Sequence, residues 1–145
     1  MAIGPRVEDI PRIRLALASF RVSAAVTGVF LLLLVVMMIT RYGFGSDLAL
    51  GGPAGFISLA PAEIIEAEGA INLSTIILIV HGWLYVVYLI VDFALWRLLR
   101  FSFGYALLIA LGGVVPFLSF YFEWLVPRDI ARRIAALENQ KAATA

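Results

Sequence analysis

The chain has 145 residues, of which 63% are hydrophobic and 14% are charged, and its mean hydropathy is +1.01. A soluble domain is roughly 45–50% apolar and about 25% charged, so this chain has more apolar surface than one small soluble core can hide. The absence of cysteine excludes disulfides, thiolate metal sites and cysteine nucleophiles, and a net charge of +1 gives no electrostatic case for binding nucleic acid.

The first membrane-spanning helix is predicted at about 22–40. A span needs about 20 mostly apolar residues, and VSAAVTGVFLLLLVVMMIT, bracketed by Arg21 and Arg41, meets that requirement. This apolar run is longer than the roughly 7–15 residues of a signal-peptide core, and no A-x-A cleavage pattern follows it, so we expect an uncleaved anchor. Ala25 and Gly28 share a face with Arg21, and such small residues favour the close approach of a second helix.

Residues 41–70 are predicted to form a loop. Glycine is frequent in its first half, and the GGPAG stretch is predicted to be a turn. From Pro61 onward PAEIIEAEGA favours a short helix, because proline suits the first helical position and acids suit the first turns. Three glutamates of this segment are interpreted as a solvated acidic face, with a hard-cation site as the alternative: Glu63, Glu66 and Glu68.

The second span is predicted at about 71–91, INLSTIILIVHGWLYVVYLIV, and it contains the only histidine of the chain. At about 100° per residue, four polar side chains at this span and its edge fall on one helical face: His81, Tyr85, Tyr88 and Asp92. Polar groups inside a bilayer are costly unless they are paired. We therefore expect this stripe to face other protein or water.

His81 has three interpretations. In the first, a neutral imidazole hydrogen-bonds across the bundle beside Gly82, where a neighbouring helix comes close. In the second, His81 handles protons or substrate, because histidine titrates near neutral pH. In the third, it ligates a metal or a haem held by two His81 residues from two subunits. The tyrosines of the stripe are interpreted as packing and hydrogen-bonding groups.

The third span is predicted at about 103–126, FGYALLIALGGVVPFLSFYFEWLV. Its proline should kink the helix, on a face shared by Gly112, Pro116, Ser119 and Glu123. Residues 127–140, PRDIARRIAALENQ, predict a short amphipathic helix with its arginines opposite an apolar face. Such a helix suits a membrane interface or a partner protein.

Two ion pairs are expected from the order of the spans. Arg21 begins the first span and Asp92 ends the second, so both lie at the same interface. Arg41 ends the first span and Glu123 ends the third, so both lie at the opposite interface. Each pair would fix the register of the helices, and both are interpreted as structural.

The distribution of arginine favours a cytoplasmic amino terminus. Cytoplasmic loops of membrane proteins are enriched in basic residues, and four arginines precede the first span whereas Arg41 alone follows it closely. The objection is the basic tail, which three spans would place outside: Arg128, Arg132, Arg133 and Lys141. The mirror orientation and a re-entrant element in the first loop remain as alternatives.

Three blocks of the sequence, SFRVSAAVTGVFLLLLVV, HGWLYVVYLIVDFALWRLLRFSF and VVPFLSFYFEWLV, resemble a family of small bacterial integral membrane proteins, the YdzA-like proteins. The resemblance covers about 18–126. Its shared marks are Phe20, Arg21, Gly28, His81, Gly82, Tyr88, Arg97, Arg100, Pro116 and Phe117. Members often have an acid before the first-span glycine, where this chain has Thr27, which weakens any pairing of a first-span carboxylate with His81. The resemblance implies a three-helix membrane fold and no established activity.

The sequence thus predicts an all-α fold, a single membrane domain over 1–145 with three transmembrane helices and an amphipathic C-terminal helix, in a bacterial plasma membrane. Three apolar helices with one polar stripe make a poor solitary bundle, so we expect a homo-oligomer or a larger membrane complex. The leading hypothesis is a non-enzymatic accessory or self-associating subunit without a cofactor. The alternatives are a homo-oligomeric channel or transporter with the His81 stripe along its axis and, below it, an oligomeric haem or metal protein. An enzyme is the weakest hypothesis, because no serine lies in a G-x-S-x-G elbow.

Overall fold

The computed structural model describes residues 5–52 and 55–144, so the middle of the predicted GGPAG turn lies outside the described residues. Most of the described chain is helical. In chain order its elements are one helical turn (Val7–Asp9), α1 (Ile10–Phe44), β1 (Asp47–Leu50), β2 (Ile57–Ala60), α2 (Ala62–Ala67), β3 (Ile71–Asn72), α3 (Leu73–Leu99), α4 (Phe103–Leu111) and α5 (Leu118–Thr144).

Internal packing divides the chain into two units. Unit 1 consists of Met1–Gly28 and Leu84–Ala145, and unit 2 consists of Val29–Trp83. Unit 1 therefore contains the first part of α1, the second part of α3, α4 and α5. Unit 2 contains the rest of α1 and α3, the three strands and α2.

Within the described residues, two helices are long and apolar enough to cross a bilayer, one over Val7–Phe44 and one over Leu73–Leu99. At 1.5 Å per residue, the 35 residues of α1 and the 27 of α3 extend roughly 52 Å and 40 Å. Both lengths exceed the hydrocarbon core of a bilayer, which is about 30 Å thick. Each helix includes most of a predicted span, 22–40 or 71–91, and continues beyond it.

Unit 2 contains a small antiparallel sheet, which corrects the all-α prediction and the loop predicted over 41–70. β1 is the central strand and pairs with both β2 and β3, in the order β2-β1-β3. Asp47 pairs with Ala60 and Leu50 with Ile57, so the chain folds back on itself between β1 and β2. The helix predicted after Pro61 is present as α2, with Pro61 as its N-cap residue.

The predicted third span is not one helix. α4 ends at Leu111, and six irregular residues separate it from α5. The pair Gly112–Gly113 disfavours helix, and Pro116 lacks the amide hydrogen that would continue the helical ladder. At 1.5 Å per residue the nine residues of α4 extend roughly 14 Å, about half the thickness of a hydrocarbon core. α5 runs from Leu118 through Pro127 to Thr144, so the predicted tail helix of 127–140 is continuous with the residues before it.

α4 and α5 form an antiparallel hairpin in unit 1. Near its start α4 shares a cleft with the middle of α5, where Tyr105 and Asp129 face the same space. At its end, the residue after α4, Gly112, lies against Phe122 near the start of α5. The hairpin packs on α1 and α3 around a core whose fully buried side chains include Phe20, Tyr88, Leu95, Phe122 and Ile130.

Candidate functional site

The polar face predicted on α3 is turned into the protein. His81, Tyr88 and Asp92 are 8%, 0% and 4% exposed, and Tyr85 is half-buried. His81 belongs to unit 2, whereas the other three residues belong to unit 1. Apolar side chains on the other faces of α3 are exposed, so the helix has a buried polar face and exposed apolar ones.

In unit 1 the two tyrosines of this face hold the end of α4. The Tyr88 hydroxyl donates a hydrogen bond of 2.7 Å to the Ile109 carbonyl, and the Tyr85 hydroxyl donates one of 3.2 Å to the Ala110 carbonyl. Both carbonyls also accept a backbone hydrogen bond, at 2.8 Å from the Gly112 amide and at 3.2 Å from the Gly113 amide. A carbonyl oxygen has two lone pairs, so each tyrosine adds a second donor. The tyrosines therefore stabilise the point at which the predicted third span is interrupted.

Two glycines bring that helix end against α3. A Cβ built on Gly112 would lie 2.9 Å from the Ile109 carbonyl oxygen and 3.1 Å from the Tyr88 hydroxyl, and one built on Gly113 would overlap the Tyr85 ring. A residue without a side chain is needed where backbone approaches another group so closely. Gly112 is a predicted packing residue. Gly113 was not predicted to be one, although the Gly-Gly pair in the sequence was an available signal.

α1 contacts the start of α5 through small and hydroxyl side chains. The buried Ser119 hydroxyl donates a 2.8 Å hydrogen bond to the Ala24 carbonyl. A Cβ on Gly28 would lie 3.1 Å from both the Ser119 hydroxyl and the Phe120 ring. Thr27, on the same side of α1, is buried, and its hydroxyl lies 3.4 Å from the Leu84 carbonyl of α3. Of the face predicted on the first span, Gly28 is buried against α5, whereas Ala25 is half-buried and Arg21 is exposed.

Asp92 is enclosed in unit 1 without the partner expected for it. Its Oδ1 atom has no hydrogen-bond partner among the described residues, and the ion pairs of that part of the chain do not include one with Arg21. Arg21 is exposed, because the adjacent Phe20 turns into the core and successive helical residues point about 100° apart. A buried carboxyl with an unsatisfied oxygen is costly, which makes Asp92 a candidate functional group.

In unit 2 the structure gives Arg41 a partner other than Glu123. The Arg41 guanidinium donates two hydrogen bonds, of 2.7 and 2.6 Å, to the Asp47 carboxylate, whose third donor is the Asn72 amide at 3.0 Å. The Arg41 guanidinium holds the pKa of the Asp47 carboxyl below its usual range. The pair joins the end of α1 to β1, and it was not predicted because a turn at Gly45 separates the two residues.

The other predicted residues are the three glutamates at 63, 66 and 68, Gly82 and Pro116. In the described ranges no three side chains of the types His, Cys, Asp and Glu are grouped so that they could hold a metal ion. Glu63, Glu66 and Glu68 are exposed and are not grouped in this way. At Gly82, a built Cβ meets no atom within 4 Å in the described chain, so the close approach predicted there is not made within one copy. Pro116 lies in the turn between α4 and α5.

Sequence similarity places the chain in a family. Residues 17–128 match a family model described as a domain of unknown function, DUF3817. The chain belongs to the DUF3817 family. The match includes the polar face of α3, both glycines after α4 and the first part of α5, and it coincides closely with the region of the predicted resemblance, 18–126. The matching model does not bear the name YdzA-like, so the match supports the region of the resemblance and not that family name.

Three mycobacterial proteins are similar to this DUF3817 chain. They are the uncharacterized proteins Mb1377c of Mycobacterium bovis, and MT1383 and Rv1342c of two Mycobacterium tuberculosis strains. Each is 27% identical to the chain over 124 residues, covering 86% of this chain and 83% of the relative. No solved structure matches the chain. The relatives therefore match this chain over most of their own length, and their names give no activity.

Proposed function

We propose that this DUF3817 protein is a non-enzymatic integral membrane subunit of a bacterial plasma membrane, which acts by associating with itself or with a larger membrane complex. The observation that supports the proposal is the contrast between its inward and outward faces. Polar side chains of unit 1 bond to backbone inside the unit, whereas the outer faces of its long helices are apolar and exposed.

The inward polar groups favour a structural role. Tyr85, Tyr88 and Ser119 each donate a hydrogen bond to a main-chain carbonyl of a different helix. A residue that lines a channel would have its polar atoms facing a water-filled path. Hydroxyls that hold helix ends and helix crossings instead fix one arrangement of the bundle, which an assembly subunit requires.

The outward faces favour lipid and a second copy. A groove of about 610 Å³ lies between α1 and α3 in unit 1, and small or branched side chains line it: Ala18, Ser19, Val22, Ser23, Val26, Leu84, Val87 and Val91. Small residues let helix backbones approach closely within a bilayer, where van der Waals packing drives association. The apolar lining suits contact with lipid, and its small side chains, Ala18, Ser19 and Ser23, suit the close approach of another helix.

The proposed topology has two spans, α1 and α3, and a re-entrant α4–α5 hairpin. A crossing helix has its ends on opposite faces of the bilayer, so the start of α1 and the end of α3 share one face. The hairpin enters from that face and returns to it, because α4 is too short to cross. This topology removes the objection raised by the basic tail. Arg128, Arg132, Arg133 and Lys141 now lie on the same face as the amino-terminal arginines, as expected for the cytoplasm.

Oligomeric state and membrane integration test the proposal. Full-length protein is extracted in mild detergent and its mass is measured by light scattering, and membranes are washed with carbonate beforehand. We expect the chain to resist carbonate and to run as an oligomer or with a constant partner. A lone monomer without a partner would overturn the assembly proposal, and release by carbonate would overturn membrane integration. A Soret band from the purified protein would instead favour the haem alternative.

A second candidate, proton-linked transport, is favoured by one observation. Asp92 is buried with Oδ1 unsatisfied among the described residues, and ionisable groups at membrane depth often belong to ion or proton pathways. The test compares wild type with His81→Gln and Asp92→Asn in proteoliposomes. A pH-dependent proton flux that both substitutions abolish would establish transport. A proton flux no higher than that of empty liposomes would leave assembly as the function.

A further inference from the structure

A second polar site lies in unit 1, away from the α3 face. A cleft of about 670 Å³ opens between the beginning of α4 and the middle of α5. The side chains that matter for its chemistry are Tyr105, Trp124, Arg128, Asp129, Arg132 and Arg133. The sequence alone presents these arginines only as the basic face of a tail helix, and the antiparallel hairpin is what places them opposite Tyr105.

The cleft is strongly basic. Three arginines and one aspartate line it, so its formal charge is positive even after Asp129 is counted. Asp129 is engaged by one of them, since the Arg133 Nε atom donates a 3.0 Å hydrogen bond to its Oδ2 atom. That contact fixes the Arg133 side chain through Nε and leaves the terminal nitrogens of the guanidinium as donors.

A second arginine is held by an aromatic ring. The Arg128 guanidinium lies 4.1 Å from the centre of the Trp124 ring, a cation–π contact that orients its plane. Arg132, one residue before Arg133, is exposed at the same cleft. Two of the three guanidinium groups are therefore held by neighbours before any ligand binds, which lowers the entropy cost of binding.

The chemistry of the lining identifies the ligand class. The planar fork of arginine matches the oxygen geometry of phosphate, and arginine is favoured where phosphate is bound through paired hydrogen bonds. The Tyr105 hydroxyl adds a neutral polar group, and Trp124 is of the type enriched where a membrane meets water. Neighbouring arginines can also contact both non-bridging oxygens of one phosphate group.

We propose that this cleft binds an anionic phosphate group, and that the headgroup of an anionic phospholipid supplies it. The phosphate site stands on the cleft itself, whereas the lipid source rests on the proposed membrane location. Anionic lipids are attracted by basic groups near the membrane surface. The cleft therefore gives a DUF3817 chain a lipid-dependent contact on the face at which its basic residues collect.

The test uses purified full-length protein in neutral detergent and three probes: short-chain phosphatidylglycerol, short-chain phosphatidylcholine and inorganic phosphate. Binding is measured as the saturable rise of the melting temperature with probe concentration. We expect phosphatidylglycerol to bind and phosphatidylcholine to bind far more weakly. Arg128→Gln with Arg132→Gln should lower the affinity for phosphatidylglycerol by roughly 25-fold, because each arginine contributes about fivefold (about 1 kcal/mol).

A matched control separates the site from overall charge. Arg6→Gln with Arg12→Gln removes the same charge from two exposed arginines outside the cleft, and it should leave the affinity for phosphatidylglycerol unchanged. Arg132→Lys keeps the charge without the fork, and we expect an intermediate affinity. Variants are compared only after their melting temperatures without probe agree with wild type, and Arg132→Lys serves if the double variant does not fold.

The outcomes separate the parts of the proposal. The site would be overturned if the control pair lost as much affinity for phosphatidylglycerol as the cleft variant. Phosphatidylcholine that binds as tightly as phosphatidylglycerol would overturn it too. Inorganic phosphate that binds as tightly as phosphatidylglycerol, and depends on the same arginines, would support the phosphate site and overturn the lipid source. Carbonate release of a protein whose cleft still binds phosphatidylglycerol would contradict the membrane proposal alone.

Discussion

The two units of this protein use charge in opposite ways. By sequence, unit 1 contains ten basic and six acidic residues, whereas unit 2 contains one basic and four acidic residues. Unit 1 keeps many of its arginines exposed and uses neutral hydroxyls in its core. Unit 2 places its single arginine against the buried Asp47, whose side chain is 3% exposed.

The difference shows which interactions stabilise each unit. Unit 1 contains the α4–α5 hairpin, where tyrosines, a serine and glycines pack at the turn, and its described residues form no buried ion pair there. Unit 2 contains a short sheet at the end of α1, and one ion pair with an asparagine fastens the sheet to the helix. Most arginines of unit 1 are exposed, and they are the basis of the proposed topology and of the phosphate cleft.

The largest expected effect is at the glycine turn of unit 1. Gly113→Ala places a methyl group into the Tyr85 ring, and overpacking of this kind costs about 3 kcal/mol at the upper end of its usual range. The measurement is the free energy of unfolding in detergent micelles. Gly82→Ala is the control in unit 2, because its Cβ meets nothing within the described chain and alanine favours helix by about 0.5–1 kcal/mol.

If both alanine variants lose stability equally, the close contact at Gly113 is not what holds the hairpin. If Gly82→Ala instead leaves the monomer stable but lowers the oligomer mass, the close approach predicted at Gly82 belongs to a contact between copies.

The next effect concerns the ion pair of unit 2. Asp47→Asn removes the charge that Arg41 and Asn72 contact, and losing charge-assisted hydrogen bonds at a buried acid should cost about 2 kcal/mol. Asp129→Asn is the matched change in unit 1, where the pair with Arg133 is partly exposed. We expect that change to cost about 0–1 kcal/mol. Thermal unfolding of both variants measures the contrast, and equal losses would show that the two pairs do not differ.

A smaller effect is expected at the end of α4. Tyr88→Phe removes a buried hydrogen bond to the Ile109 carbonyl, at a cost of about 1 kcal/mol. Tyr85→Phe removes a longer bond from a half-buried residue and should cost less. Chemical unfolding of the two variants in parallel tests the order, and a larger loss at Tyr85 would show that the Tyr88 hydroxyl does not hold the helix end.

The last prediction is the pH dependence of unit 2. The pKa of Asp47 is lowered in the folded state, so its stabilisation is fully present above the unfolded pKa, about 3.9. It is lost as the pH falls through the lower folded value. The difference in melting temperature between wild type and Asp47→Asn should therefore be constant near neutral pH and shrink below about pH 4. A difference that grows on acidification would contradict the sign of the shift.

The two long helices could be predicted because each contains a run of about 20 mostly apolar residues, the length that a membrane span requires. The buried face of α3 followed from the 3.6-residue period. The sheet could not be predicted in this way, since its strands have four or two residues and their partners are set by non-local pairing. Average apolarity over 103–126 concealed the interruption of the third predicted span, although Gly113 and Pro116 are both helix breakers.

The predicted ion pairs show a second limit of sequence reasoning. End-to-end matching of spans brings charges to the same interface without fixing the direction in which each side chain points. Arg21 points outward because Phe20 takes the inward position, and Arg41 finds Asp47 only after the chain has turned into β1. The direction of Arg21 depends on the rotation of α1 about its axis, and the Arg41 contact depends on the turn before β1. The order of the spans specifies neither.

The central claim is that α1 and α3 cross the membrane while the α4–α5 hairpin returns to the face from which it entered. The native chain has no cysteine, so single cysteines at the exposed positions Arg12, Glu66 and Lys141 report sidedness directly. In intact cells and in inverted vesicles, a membrane-impermeant maleimide should label positions 12 and 141 from the cytoplasmic face and position 66 from the opposite face. Labelling of positions 66 and 141 from one face would contradict the account and restore three complete spans.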